Sequence, residues 1–170
     1  GTLIDTFLKE GLTGLIGGCF GRGLCEAYRK ICWPIVALIL AHPYVQKIPE
    51  GYLYTALEMM QSTSSYQNAL KILNLPQARE FSSKFLFQCL MLASSFNNTR
   101  FETELFKAKK EFLAAIFYLI ETKWCIESHE LVHMRHRAEE IRKQIVQLRQ
   151  EGLEDAATSL EQLAEQFEKF

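Results

Sequence analysis

His129-Glu130-Leu131-Val132-His133 is the stretch of this chain with the clearest chemical potential. On a helix, residues four apart share a face, so two imidazoles at this spacing can hold one metal ion. A carboxylate between them can polarise a metal-bound water. His136 extends the histidines to positions i, i+4 and i+7. The candidate metal ligands are His129, His133 and His136, zinc is the ion they would hold and Glu130 is the candidate catalytic base. The reading preferred is a charged helix that places three histidines on its solvated side and holds no cofactor.

The H-E-x-x-H pattern resembles that of the zincin metallopeptidases, over these five residues only. The resemblance implies zinc held by His129 and His133 and a general base at Glu130. The longer metzincin pattern is absent: His136 stands where its glycine belongs, and Glu139 and Glu140 fill the region of its third ligand. In a gluzincin-like arrangement Glu151 or Glu154 would supply the third ligand, and no further motif selects between them.

A second constellation is physical rather than catalytic. Arg22, Arg29 and Lys30 precede Trp33, which opens an apolar stretch. Cations meet anionic headgroups and an indole sits at the lipid interface, so these four residues are candidates for contact with a membrane surface. Other chemistries are excluded more simply. The glycines from Gly14 to Gly23 lack the G-K-[ST] end of a phosphate loop, and Glu26 stands where a dinucleotide fingerprint starting at Gly21 needs glycine. Outside the C-terminal cluster the sole histidine is His42, before Pro43, with no nucleophile motif beside it.

The five cysteines are odd in number, without a C-x-x-C pair, and mostly within apolar stretches, which suits reduced core thiols in a reducing compartment. Cys125 lies one helical turn from His129. The first residues lack a secretory pattern, and the longest apolar run, Ile31 to Ala41, is eleven residues against the ~20 that span a bilayer. These features point to a cytoplasmic protein, peripheral to a membrane if the Arg22 to Trp33 group acts as a lipid contact.

The elements that must position these groups are helical. With 170 residues and 48% hydrophobic content the chain can bury a core as one domain. A net charge of −1 gives no field that would attract nucleic acid. Ile4, Leu8, Leu12, Leu15 and Cys19 recur at helical spacing, although six of the nine glycines fall between Gly11 and Gly23 and weaken that helix. Small residues at Gly14/Gly18 and Gly17/Gly21 would let another element approach closely. A second helix is expected from Leu24 to His42 with a kink at Pro34, then shorter helices over Tyr52 to Met60 and Tyr66 to Leu73, and a stronger one opened by Pro76.

Thr99-Arg-Phe-Glu102 matches a capping box, and from there no proline or glycine occurs before Gly152. A continuous helix of that length would reach about 75 Å, too long for a compact domain, so it must break or project. Leu131, Met134, Ala138, Ile141, Ile145 and Leu148 form one heptad seam, and Leu153, Ala157, Leu160, Ala164 and Phe167 another beyond Gly152. This predicts an antiparallel hairpin, matched in charge through Arg142, Lys143 and Arg149 on one helix and Glu154, Asp155, Glu161 and Glu165 on the other. In that register His129, His133 and His136 take positions f, c and f, opposite the seam.

The fold expected is all-α: a bundle of about six to seven helices in a single domain, with a long helix leading into a C-terminal hairpin. Within it, residues 1–97 form an apolar, glycine-containing subregion and residues 98–170 a charged one. The function read from this pattern is a non-catalytic interaction module that binds a protein partner through the hairpin or the bundle surface. The alternatives are a peripheral lipid-binding module using residues 11–33 and a zinc metallopeptidase acting through residues 129–133.

Overall fold

The computed structural model describes residues 2–96, 100, 101, 103–123 and 126–170, with side chains described from Ile16 onward. Among these residues the chain is all-α: eight α-helices, two short 3-10 turns and no strand. The capping box expected at Thr99 to Glu102, the Cys125/His129 pair and the side chains of Ile4, Leu8, Leu12 and Leu15 lie outside the described residues. No described helix is long and apolar enough to cross a membrane. The chain divides into two compact units, Gly1–Phe81 and Ser82–Phe170, and the expected composition shift near residue 98 does not coincide with that division.

The first unit contains α1 (Thr2–Arg29), α2 (Trp33–Ala41), α3 (Glu50–Leu57) and α4 (Thr63–Leu73), with 3-10 turns at Pro43–Lys47 and Pro76–Glu80. Helix α1 runs unbroken through its glycines, and two of them, Gly17 and Gly21, serve packing. A Cβ at Gly17 would strike the backbone of Lys47, and one at Gly21 would strike the ring of Tyr52. The loss in helix propensity is offset by the close approach of α1 to the first 3-10 turn and to α3. The boundary expected near Leu24 falls instead at Lys30 to Cys32, and Pro34 sits in the first turn of α2, where its missing N–H costs no hydrogen bond. Ser62 caps α4 through a reciprocal box with Ser65, so the serine cluster that ends one helix also begins the next. The core of the unit is apolar, with Leu24, Val36, Leu53, Leu57 and Ile72 almost fully buried.

The second unit contains α5 (Ser83–Ala93), α6 (Glu104–Lys123), α7 (Ser128–Gln150) and α8 (Glu154–Glu168). Pro76 opens only a 3-10 turn, because the Ser82 hydroxyl accepts the amide of Phe85 and starts α5 anew. Helix α6 begins behind Thr103, whose hydroxyl accepts the amide of Phe106. The long segment does break: α6 ends at Lys123 and α7 begins at Ser128.

Helices α7 and α8 form the hairpin. Met134, Ala138, Ile141, Ile145 and Leu148 are buried, as are Ala157, Leu160, Ala164 and Phe167, while Leu131 and Leu153 at the ends of the two seams are half-buried. Each large aliphatic or aromatic side chain withdrawn from water here contributes about 1.5–3 kcal/mol. The charge match is partly as expected. Arg142 pairs with Glu168 at 2.6 Å and Glu161 at 3.7 Å, and Arg149 with Glu161 at 2.6 Å and Glu154 at 3.7 Å. Glu168 was not in the expected set, and Lys143, Asp155 and Glu165 take no part in these pairs. All four are exposed pairs worth up to about 1 kcal/mol each, so burial dominates.

Candidate functional site

Residues 129–136 lie in the first turns of α7, and the helix deals them to different surroundings. His129, His133 and His136 are exposed. Their rings have separate neighbours: His129 Nδ1 is 3.3 Å from a Glu127 carboxylate oxygen, the His133 ring lies 6.2 Å from that of Phe87, and His136 Nε2 is 3.0 Å from Glu140. Among the described residues, the set that brings three metal-competent donors together is Glu127, His129 and Glu130. His133 and His136 are not part of it.

Glu130 faces the interior and is 5% exposed. It borders a cavity shared with Ser83, Leu86, Phe87, Lys123 and Met134. At about 10 Å³ that cavity has room for roughly one water and none for a peptide. Burial raises the Glu130 carboxyl above the usual carboxylate range, the neighbouring Glu127 charge raises it further, and His129 opposes both.

Arg137, one heptad after Glu130, faces the same way. Its Nη1 donates to the Met91 carbonyl at 3.0 Å and to the Ser94 hydroxyl at 2.8 Å. Lys109 from α6 donates to the Ser95 carbonyl at 2.7 Å and lies 4.8 Å over the ring of Phe96. Two cations thus close the C-terminal end of α5, where unsatisfied carbonyls and the helix dipole favour positive charge. Burial, and then the nearby Arg137 charge, pull the Lys109 ammonium down to about 8. Neither residue stood out in sequence. Glu130 and Arg137 occupy position g of the α7 heptad, the flank that meets a third helix, and that register was the available signal.

The candidates at 22–33 are dispersed among local partners. Arg22 donates to Cys19 Sγ at 3.4 Å. Arg29 binds Glu26 at 2.7 Å, with Lys30 3.9 Å from the same carboxylate. Trp33 is half-buried, edge-on to the buried Tyr28 with ring centroids 5.3 Å apart. What the helix exposes instead is aliphatic. Ile31, Ile35 and Leu38 are 67%, 47% and 72% exposed; Ile35 and Leu38, three apart, share one side of α2, and Ile31 lies in the turn that precedes it. Only Val36 and Leu40 of α2 are buried. Ile31 also holds a left-handed backbone with φ 57°, which a β-branched residue rarely adopts. The exposed aliphatics were implicit in the uncharged run from Ile31 to Ala41, since a nine-residue helix packed on α1, α4 and the first 3-10 turn still leaves one side uncovered.

A further concavity of about 520 Å³ runs between α6 and α8, with Ala114, Phe117 and Leu163 at its base and Lys110, Tyr118 and Gln166 around them. Lys110 crosses it to Ser159 at 3.2 Å. The cysteines give no redox site among the described residues. Cys19, Cys25, Cys32 and Cys89 form no disulfide, and Cys19 is exposed rather than in the core. Cys25 donates to the Tyr52 carbonyl at 3.3 Å, and burial pushes its thiol up, away from the reactive thiolate. His42 is occupied structurally, accepting the Tyr44 amide at Nδ1 and stacking with the Tyr44 ring.

Comparison of the chain with protein-family models, curated proteins and solved structures finds no match.

Proposed function

We propose that this chain is a non-catalytic helical interaction module that docks a protein partner through the apolar side of the α1/α2 corner. The observation that carries the reading is Ile31: it is solvent-exposed, β-branched and left-handed, in the turn before α2, whose exposed side carries Ile35 and Leu38. Exposed contiguous aliphatics and backbone strain both cost free energy, and both concentrate where a surface binds something. The hairpin supports this choice by default, because Arg142 and Arg149 are engaged by the hairpin's own acids.

A protein partner fits better than a lipid surface. Helix α2 has no charged residue of its own, Arg29 and Lys30 share Glu26, and the indole that would anchor at a bilayer is packed against Tyr28. The partner's matching surface is an apolar helix face with few charges.

A photo-crosslinking residue at position 38 in the host cell, compared with one at exposed Val146 on α7, tests the reading. A discrete protein adduct is expected from position 38 only. The partner so identified, made recombinantly, should bind about tenfold or more weakly to Ile35→Glu, whose melting temperature should match the parent. Equal adducts from both positions, unchanged affinity in Ile35→Glu, or sedimentation with phosphatidylserine vesicles that Leu38→Glu abolishes would overturn it.

A further inference from the structure

Helix α6 shows solvent a second face, distinct from the α2 corner. Lys107, Glu111, Ala114 and Tyr118 are exposed at spacings of four, three and four, so they lie along one side of the helix. Beside them the concavity between α6 and α8 is floored by Ala114, Phe117 and Leu163. Two of its features are unfinished. Tyr118 stands 61% exposed at the rim, and Gln166 in the wall has its Oε1 withdrawn from water without a hydrogen bond among the described residues. An acceptor left in that state costs free energy that a donor on an incoming surface recovers.

We propose that this face is covered by a second copy of the chain, paired about a two-fold axis beside Ala114. The order of charges along α6 selects that occupant. When α6 pairs antiparallel with itself about such an axis, each residue meets the one equally far on the other side of Ala114, and every contact occurs twice. Lys107 lies two helical turns before Ala114 and Glu121 two turns after, so both stay on the side that carries Ala114. Lys107 of each copy therefore faces Glu121 of the other. Lys110 and Tyr118, about one turn to either side, form the next pair, an ammonium against an exposed phenol ring. Ala114, on the axis, offers only a methyl group and lets the two helices approach closely.

The groups in question are available for this pairing. Lys107 has no side-chain partner among the described residues, and Glu121 is held only loosely within the chain, by Lys169 at 4.0 Å. Lys110 is already fixed in the groove, 3.2 Å from the Ser159 hydroxyl and 5.0 Å over the ring of Phe106. A parallel pairing in register would instead set Lys107 against Lys107 and Glu121 against Glu121, which like-charge repulsion opposes. The antiparallel two-fold is thus the arrangement in which α6 is its own electrostatic complement.

Sedimentation equilibrium of the full chain tests the proposal. A monomer–dimer equilibrium is expected, with Kd below about 100 μM. Tyr118→Ala and Lys107→Glu should each weaken the dimer about tenfold or more. Both residues are exposed, so melting temperatures should match the parent. Lys107→Glu combined with Glu121→Lys should recover most of the loss, because the double exchange restores opposite charges across the axis. Ile35→Glu, on the separate docking surface, should leave the dimer unchanged. A chain that stays monomeric to about 1 mM would give the groove to another occupant and overturn the proposal. Dimers indifferent to Lys107→Glu and Tyr118→Ala, or dispersed by Ile35→Glu, also overturn it. So does a double variant that associates no better than Lys107→Glu alone.

Discussion

Helices α1 and α7 end in the same hydrogen-bonding pattern with opposite residue choices. At the end of α7 the Gly152 amide donates to Arg149 at 3.1 Å and the Leu153 amide to Leu148 at 2.9 Å. At the end of α1 the Ile31 amide donates to Tyr28 at 3.2 Å and the Cys32 amide to Ala27 at 2.8 Å. Both are Schellman caps, which require a left-handed residue after the helix. Gly152 meets that requirement with φ 79° and no Cβ to strain it, whereas Ile31 meets it with φ 57° and a branched side chain in solvent. The turn between α7 and α8 is arranged for stability. The turn between α1 and α2 tolerates strain and an exposed aliphatic at one residue, and stability alone does not explain that choice.

The largest expected contrast between the two corners lies in their side chains. Leu160→Ala, in the hairpin seam, should cost about 3–4 kcal/mol by urea unfolding, since it leaves a cavity in a filled interface. Leu38→Ala, on the α2 stripe, should change stability by less than about 0.5 kcal/mol. Comparable losses at both positions would mean that the stripe is covered.

The two units should next diverge with pH. Lys109 in the second unit is pulled down to about 8 in the fold, against about 10.5 when unfolded, so between those values the unfolded chain holds more protons. Stability is therefore lowered below pH 8 and rises by up to about 3 kcal/mol as pH increases to 10.5. Tyr28 in the first unit has its phenol raised by burial, so the folded state is the one that keeps the proton, and stability falls as pH passes 10. Urea midpoints of Lys109→Met should lose the rise between pH 8 and 10 and keep the fall above 10. A parent-like rise in that variant would remove Lys109 as its source.

The smallest effects test the caps themselves. Gly152→Ala should destabilise by about 1 kcal/mol, purely through backbone strain, because a Cβ there meets nothing within 4 Å. Ile31→Gly should stabilise by up to about 1 kcal/mol, with the strain relieved offsetting the added freedom of the unfolded chain. Opposite signs in thermal melts would establish the contrast, and a loss at Ile31 would end it.

Much of the second unit was legible because its signals are periodic. The seam from Met134 to Phe167 and the Gly152 stop specify the hairpin, and the same register turns His129, His133 and His136 outward. The break between Lys123 and Ser128 was not legible in position, since neither proline nor glycine marks it. Glu130 was legible as a motif member but not as a buried group, because its burial depends on α5 arriving against the flank of α7. The α1/α2 turn was misplaced for a related reason. Glycines that weaken a helix in isolation mark, at 17 and 21, where other elements press against it, and a left-handed isoleucine has no sequence signature.

The glycines at 17 and 21 also shape how this chain can vary over generations. Glycine is the smallest residue, so every replacement at those positions adds atoms where the backbone of Lys47 and the ring of Tyr52 already sit. Ile35 and Leu38 are exposed, so aliphatic exchanges there should leave the fold intact. Accumulated substitutions should therefore be sparse along that ridge of α1 and freer at the exposed Ile35 and Leu38 of α2.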